Sequence, residues 1–417
     1  MNSINKILKE EVELIKLDGS ELKEIQKISK EFVFGLKSRL KKKGISANVF
    51  VGGSLAKGTL VKKDVQDVDI FVRFDKKYDS EKISGMLGKV IGSKAKKIHG
   101  SRDYFQVSSG DFLMEVIPVM NVKGPLQAVN ITDLSYFHVK YFLQQMKLKS
   151  GLGEEIMLAK RFAYSCDCYG AESYINGFSG YALELLIVHY GSFLKFLKAV
   201  AKAKDRIVID DGGFYKSGKE VLKVLNKSKL KSPIILIDPT FKERNALAGL
   251  NDETFIKFKK CCKAFLSRPN HEFFKTSNIE EEFERFNDLK VVEVVTNKQA
   301  GDIAGTKSKK FFNFFLRAVS EDFVIKKSGF DYIESENVAR FYLVLDVLKE
   351  SVVRGPAVTA LEGVKGFKKA HSNAFVSNGF VCFRKKHDLS FEDWFKGFVK
   401  KERNVLKEMC VKGLRLV

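Results

Sequence analysis

A chain of 417 residues with 45% hydrophobic side chains and six prolines is too long for one core and too apolar for disorder, so about two to four globular domains are expected. Lys and Arg number 73 against 51 Asp and Glu, a net charge of +22 that suits either a polyanionic partner held through phosphate contacts or a lysine-rich solubility surface. Six cysteines with no Cys-x-x-Cys pair exclude a disulfide framework and argue against a zinc site, leaving reduced core thiols.

The opening residues, Met1-Asn2-Ser3-Ile4-Asn5-Lys6, lack the apolar core of a signal peptide, and a soluble, cytoplasmic protein is expected. Ser20 is placed to cap a helix running to about Lys43, with Ile25, Ile28, Phe32, Leu36 and Leu40 on one face and Gly44 ending it. Val49-Phe50-Val51 then enters a Gly52-Gly53-Ser54 turn, and a second apolar run, Asp67-Val68-Asp69-Ile70-Phe71-Val72, follows. Side chains two apart on a strand face the same way, with Cα atoms roughly 7 Å apart. Asp67 and Asp69 therefore converge on one spot, and Mg²⁺ is the usual cation between such carboxylates where phosphates are handled. The glycines let backbone N–H groups close on a phosphate, and Ser54 adds a short donor. The plainer alternative is a glycine turn between two strands with exposed aspartates.

Ser80 is expected to start a helix reaching about Ile98. Two strands follow, Tyr104–Val107 and Phe112–Val119, joined by the hairpin signal Ser108-Ser109-Gly110-Asp111. Leu113, Glu115 and Ile117 share one face of the second strand. Glu115 is either a third carboxylate beside Asp67 and Asp69 or a solvent-facing residue.

A basic, mostly helical section runs from about Tyr141 to Pro269 and holds Lys160, Arg161 and Tyr169 near its start. Its helix after Gly177 is apolar nearly all round, which places it at the centre of a domain. The run Tyr181–Leu194 is too short to span a bilayer and is interrupted by Glu184 and His189. Ile234–Ile237 reads as a short buried strand broken by Asp238-Pro239-Thr240, and Asn251 or Thr254 begins a helix. Beyond Arg268-Pro269-Asn270, Val291–Val295, Lys307–Val319, Phe323–Lys327 and Phe341–Val347 read as β-α-β-β. Phe311, Phe312, Phe314 and Phe315 are either a stacking platform for bases or, as helical spacing favours, core. From Arg354 the chain is rich in Gly and Lys, with a hairpin around Ser377-Asn378-Gly379 and a last helix from about Ser390 holding Trp394.

The order Gly53-Ser54, spacer, Asp67-x-Asp69 resembles the nucleotidyltransferases of the DNA polymerase β type. Tyr169-Gly170-Ala171-Glu172, Gly177-Phe178-Ser179-Gly180-Tyr181, Glu184-Leu185-Leu186-Ile187 and Tyr190-Gly191-Ser192-Phe193 resemble the neck of the archaeal, class I CCA-adding enzymes. Asp238-Pro239 followed by Arg244-Asn245 does so too. The resemblance covers about Phe50 to Phe274, and Gly355-Pro356 with its downstream hairpin is similar to that family's tail.

What this implies is an α+β architecture. Residues 1–140 would form a polymerase β-like catalytic head, 141–270 a helical neck, 271–352 a small ferredoxin-like α+β body and 353–417 a tail, the last two binding tRNA. The implied activity is template-independent addition of C, C and A to the 3′ end of tRNA from CTP and ATP, with Mg²⁺. The family's metal ligands fall on Asp67, Asp69 and Glu115. Its nucleotide contacts fall on Ser54, Lys57, His138, Lys160 and Tyr169, and its base-side arginine falls on Arg244. Two positions depart from the family: Glu115 stands where Asp is usual, and Lys57 where Arg is usual, exchanging a planar fork for a point charge. His138 and Tyr169 also admit purely structural readings. A poly(A) polymerase of the same superfamily and a non-catalytic RNA-binding protein on the same fold stay open as alternatives, and so does a homodimer.

Overall fold

The computed structural model describes residues 3–63, 65–276, 278–297, 301–334, 336–348, 350–386 and 389–417. The chain divides into two compact units, Met1–Thr276 and Ser277–Val417.

In the first unit, helix α1 (Ser3–Ile15) buries Ile7, Leu8, Val12 and Ile15. Helix α2 (Gly19–Lys42) is capped by Asp18 and not by Ser20. The Asp18 carboxylate accepts from the backbone N–H groups of Ser20 and Glu21, and Glu21 returns a bond to the Asp18 N–H, a reciprocal box that Ser20 has no partner to form. Strand β1 (Ala47–Val51), the short helix α3 (Gly53–Lys57) and strand β2 (Gln66–Phe74) follow. Helix α4 (Ile83–Ile91) stops well before Ile98, because Gly92 takes φ +94° and Lys96–Ile98 pair as strand β3. Strands β4 (Tyr104–Ser109) and β5 (Phe112–Met120) meet at a turn where Gly110 has φ +61°.

The head sheet runs β1-β2-β5-β4-β3, with β2 and β5 parallel at its centre and antiparallel neighbours outside. Alternation along β2 divides its side chains cleanly. Val68, Ile70, Val72 and Phe74 are fully buried against Leu36, Leu87, Met114 and Val116, each worth about 1.5–3 kcal/mol. Asp67 and Asp69 take the opposite face, half-buried.

The rest of this unit is helical. It comprises α5 (Ser135–Leu148), α6 (Leu152–Ser165), α7 (Gly180–Tyr190), α8 (Phe193–Lys202), α9 (Gly218–Val224) and α10 (Asp252–Ser267), which Asn251 caps. A three-stranded sheet, β6 (Ile207–Ile209), β7 (Ile234–Asp238) and β8 (Phe241–Asn245), lies among them. As its composition requires, α7 is central: Ala182 through Ile187 are all buried, in a core shared with Phe162, Phe178, Phe196 and Phe258. The six cysteines are free thiols, and four of them are buried.

The second unit contains α11 (Ile279–Glu284), β9 (Leu289–Thr296), α12 (Gly301–Val319), β10 (Phe323–Ile333), β11 (Val338–Val347), β12 (Glu350–Ala357), α13 (Leu361–Ala370), β13 (Phe375–Ser377), β14 (Phe380–Lys386), α14 (Phe391–Lys401), α15 (Arg403–Glu408) and β15 (Val411–Leu416). Its main sheet has the order β10-β11-β9-β15, antiparallel throughout. With α12 and α14 this is the ferredoxin-like β-α-β-β-α-β arrangement, carrying the separate sheet β12-β14-β13 as an insertion. Helix α14, which the sequence assigns to a tail, packs Trp394, Phe395 and Phe398 into the same core as β9 and α12, and β15 was not foreseen as a strand. Phe311, Phe312 and Phe315 are buried in that core, with Phe314 partly buried against it, so the stacking-platform reading fails and the core reading holds. Among the described residues no helix is long and apolar enough to cross a membrane.

Candidate active site

The Gly52-Gly53 turn folds directly onto the outer face of β2. The Gly52 N–H donates to the Asp69 carbonyl at 2.9 Å, and Gly53 adopts φ +55°. A Cβ on Gly53 would lie 1.6 Å from Asp69 Oδ2, and one on Gly52 would lie 2.4 Å from the Phe71 ring. Glycine is therefore required at both positions, at Gly53 for conformation as well as space. A Gly53→Ala protein is expected to melt at lower temperature and, once folded, to be slower by roughly a hundredfold, the cost of an ångström-scale misplacement of a reacting group; single-turnover rates beside a melting curve check both.

Across the sheet, Asp69, Glu115 and Gln106 lie in one row, since β2, β5 and β4 pair Asp69 with Glu115 and Glu115 with Gln106. Burial raises the Asp69 carboxyl above its usual range; the Lys57 charge opposes this, and the Asp67 charge reinforces it. Asp67 accepts from Lys63 Nζ at 2.9 Å, and Glu115 accepts from Gln106 Nε2 at 2.9 Å. Among the described residues no three His, Cys, Asp or Glu side chains converge closely enough to hold a metal. Asp67 and Asp69 nevertheless fit a hard divalent cation. Both are oxygen donors on one strand face, and each would be relieved by positive charge. Glu115 lies beside Asp69 in the sheet register, with Oε1 accepting from Gln106.

Facing these carboxylates is a buried cationic cluster. Glu184 Oε2 accepts from Lys57 Nζ at 2.7 Å and Oε1 from Lys160 Nζ at 3.1 Å, while Lys160 Nζ also donates to Thr59 Oγ1 at 2.9 Å. Burial opposes ionisation of Glu184, but Lys160 and Lys57 outweigh it and hold the carboxyl below its usual range. Burial lowers the Lys160 ammonium, against the pull of Glu184. The Tyr169 phenol is raised by burial and then by Glu184 and Asp69, which keeps it a neutral donor. Ser54 is half-buried in the first turn of α3.

A second hub is built on Asp238, at the end of β7. Its Oδ2 accepts from His138 Nε2 at 3.0 Å and Arg244 Nη1 at 2.7 Å; its Oδ1 accepts from the Tyr181 hydroxyl at 3.0 Å and from the Thr240 N–H and hydroxyl at 2.8 and 2.7 Å. Burial opposes ionisation of this carboxyl, but His138, Arg244 and Thr240 together hold it well below the usual range. Burial lowers the His138 imidazole despite Asp238, so the ring is neutral at pH 7 and its Nε2–H donates. His138 stacks on Tyr181 at 4.0 Å between centroids, and the Arg244 guanidinium lies 5.5 Å from the same ring.

The structure thus draws Asp67, Asp69, Lys57, Lys160 and Tyr169 into one electrostatic neighbourhood and gathers His138 and Arg244 on a separate carboxylate. Glu184, Asp238 and Tyr181 were missed as site residues, although an acid inside an apolar helix and an acid ending a buried strand were visible signals.

Two family models match the chain: a nucleotidyltransferase domain over residues 33–105 and the second domain of tRNA nucleotidyltransferases over residues 154–275. The Cid1 poly(U) polymerase shares the fold, with a TM-score of 0.52 at 15% identity over 66% of this chain and 99% of its own. The first unit therefore has the fold of the nucleotidyltransferases. Among curated proteins, the chain is 41% identical to the CCA-adding enzyme of Nanoarchaeum equitans over 50% of its own length and 52% of that enzyme's, so this match spans about half of the relative. The CCA-adding enzyme of Methanococcus maripaludis is 26% identical over 97% of this chain and 95% of its own, and that of Saccharolobus shibatae is 29% identical over 70% and 71%. The chain is thus similar in sequence to the archaeal CCA-adding enzymes, in one case along nearly its whole length.

Proposed function

We propose that this protein adds C, C and A to the 3′ end of tRNA, without a nucleic-acid template, from CTP and ATP and with release of pyrophosphate. The observation that carries this reading is the Gly53 backbone closed over Asp69, with Asp67 on the same strand face and the Lys57–Glu184–Lys160 cluster opposite. Mg²⁺, held by Asp67 and Asp69 and joined by Glu115, would supply neutralisation of phosphate charge and activation of the primer 3′-hydroxyl. Lys57 and Lys160 bind the triphosphate, and Ser54 and the neutral Tyr169 donate hydrogen bonds to it. Phosphoryl transfer depends chiefly on such positioning and electrostatics. Neutral His138 braces the Tyr181 ring and stays within reach of the ribose or phosphates.

Arg244 carries the base-side role. One of its nitrogens is committed to Asp238, which leaves its remaining N–H groups to meet a ring nitrogen or keto acceptor of C or A. Arg244→Ala is expected to lose discrimination against UTP and GTP by roughly tenfold to a hundredfold, the scale of one or two polar contacts, with triphosphate affinity changed much less. Equal loss for all four nucleotides in competition assays would overturn this role.

The net charge of +22 suits a tRNA acceptor stem read through phosphates and 2′-hydroxyls, with salt-sensitive affinity. A cytoplasmic location and a homodimer accord with this reading.

The test is extension of a tRNA lacking its last three nucleotides, with CTP, ATP, UTP or CTP plus ATP, read on a sequencing gel. Two additions with CTP and a halt at three with both nucleotides are expected. Long A tails would move the assignment to a poly(A) polymerase. Bound but unextended tRNA would make the protein a binding module.

A further inference from the structure

Glu184 lies in the buried run Ala182–Ile187 of α7, with its side chain 2% exposed. A carboxylate there is unfavourable unless cations meet it, and two do. Each oxygen takes one lysine: Oε2 takes Lys57 at 2.7 Å and Oε1 takes Lys160 at 3.1 Å. Those side chains are themselves 7% and 9% exposed, so they come from two other elements, α3 and α6, to one buried point. Lys160 is fixed further by Thr59, and the Lys57 ammonium lies 5.9 Å from the Phe142 ring centroid and 5.6 Å from that of Tyr181. Such a cluster is a poor device for stability alone, because well-packed apolar side chains serve at least as well. It does something apolar residues do not, which is to hold two ammonium groups side by side with a net positive charge.

We infer that Glu184 is a positioning residue for the triphosphate: its one carboxylate sets the spacing of Lys57 and Lys160 opposite the Asp67–Asp69 face. The inference rests on the reading that these lysines meet the nucleotide. Since the triphosphate is common to CTP and ATP, Glu184 acts on both nucleotides alike. Arg244, seated on Asp238, acts on the base and so separates them.

The test uses the full chain with Glu184→Gln and Glu184→Asp. KM and kcat are measured for CTP on tRNA lacking three nucleotides and for ATP on tRNA lacking one. Binding of inorganic pyrophosphate with Mg²⁺ is measured by calorimetry without tRNA. Glu184→Gln is expected to raise KM for CTP and ATP by the same factor, roughly tenfold or more, the scale of a charge-assisted contact. Pyrophosphate affinity should fall in parallel and kcat should change much less. Glu184→Asp keeps the charge at shorter reach and is expected to fall between the two; it also carries the test if the glutamine variant does not fold. Unchanged KM in the folded aspartate variant, a loss confined to kcat, or unequal effects on CTP and ATP would overturn the inference. If pyrophosphate binding shifts as expected while wild-type protein leaves tRNA unextended, the positioning role stands and the tRNA reading fails.

Discussion

Replacing Asp69 by asparagine is expected to abolish nucleotide addition while leaving the metal-free protein at least as stable as the wild type. Asp69 sits under the Gly53 backbone on the same face as Asp67, and burial together with the Asp67 charge raises its carboxyl above the usual range, with Lys57 opposing. A carboxyl raised on folding binds its proton more tightly in the native state. Its ionisation therefore costs stability progressively as pH climbs from the ordinary carboxylate range of about 4 through the raised value. Asparagine has nothing to ionise and escapes that cost. On the proposed metal role the same charge would let Asp69 hold a divalent cation, and its loss is expected to cost several kcal/mol of transition-state stabilisation, about three orders of magnitude or more in rate. Melting of both proteins in chelator and in Mg²⁺ at neutral pH, beside single-turnover extension, checks both halves. Mg²⁺ should raise the wild-type melting temperature and leave that of Asp69→Asn nearly unmoved. Residual activity within tenfold of wild type would remove Asp69 from the metal site.

Asp238→Ala is expected to cost about 3–5 kcal/mol of stability, the scale for removing one partner from a buried ionic cluster. The carboxylate is fully buried and accepts from His138, Tyr181, Thr240 and Arg244, so its loss orphans donors on four side chains at once. Its pH signature has the opposite sign to that of Asp69. This carboxyl is held well below its usual range, so its stabilisation is complete at neutral pH and is lost as pH falls beneath the ordinary carboxylate range of about 4. Urea melts of wild type and Asp238→Ala at neutral pH and near pH 3 should show the gap narrowing in acid. A gap that stays constant would mean that the loss is one of packing alone.

The parts of this protein that were legible in its sequence are those governed by short-range rules. The Asp67-x-Asp69 face and the strand face of Glu115 follow from the two-residue period of strands, and the central place of α7 follows from its lack of a polar face. The end of α4 at Gly92 went unread because apolar periodicity continues past it, and only the glycine's positive φ stops the helix. Strand β15 went unread because its pairing partner, β9, lies far back in the chain. The partners of the site residues were hidden for the same reason. His138 meets Asp238 and Lys57 meets Glu184 across the fold, and no local pattern encodes such meetings. Glu184 and Asp238 were read as interruptions of apolar runs and as parts of the neck motifs but not as site residues, whereas each is the counter-charge for a cluster of candidate site residues.

The pairing of β15 with β9 also sets an order of events during synthesis. β9 and β11 emerge and pair while the opposite edge of β9 is still bare, and the insertion β12-β14-β13 and helix α14 must be made before β15 arrives to cover it. Through that interval the nascent body presents an open strand holding Val292 and Val294, both buried in the finished fold, to any other chain within reach. The ribosome therefore delivers the second unit with one sticky seam, closed by the last strand of the sheet to be made.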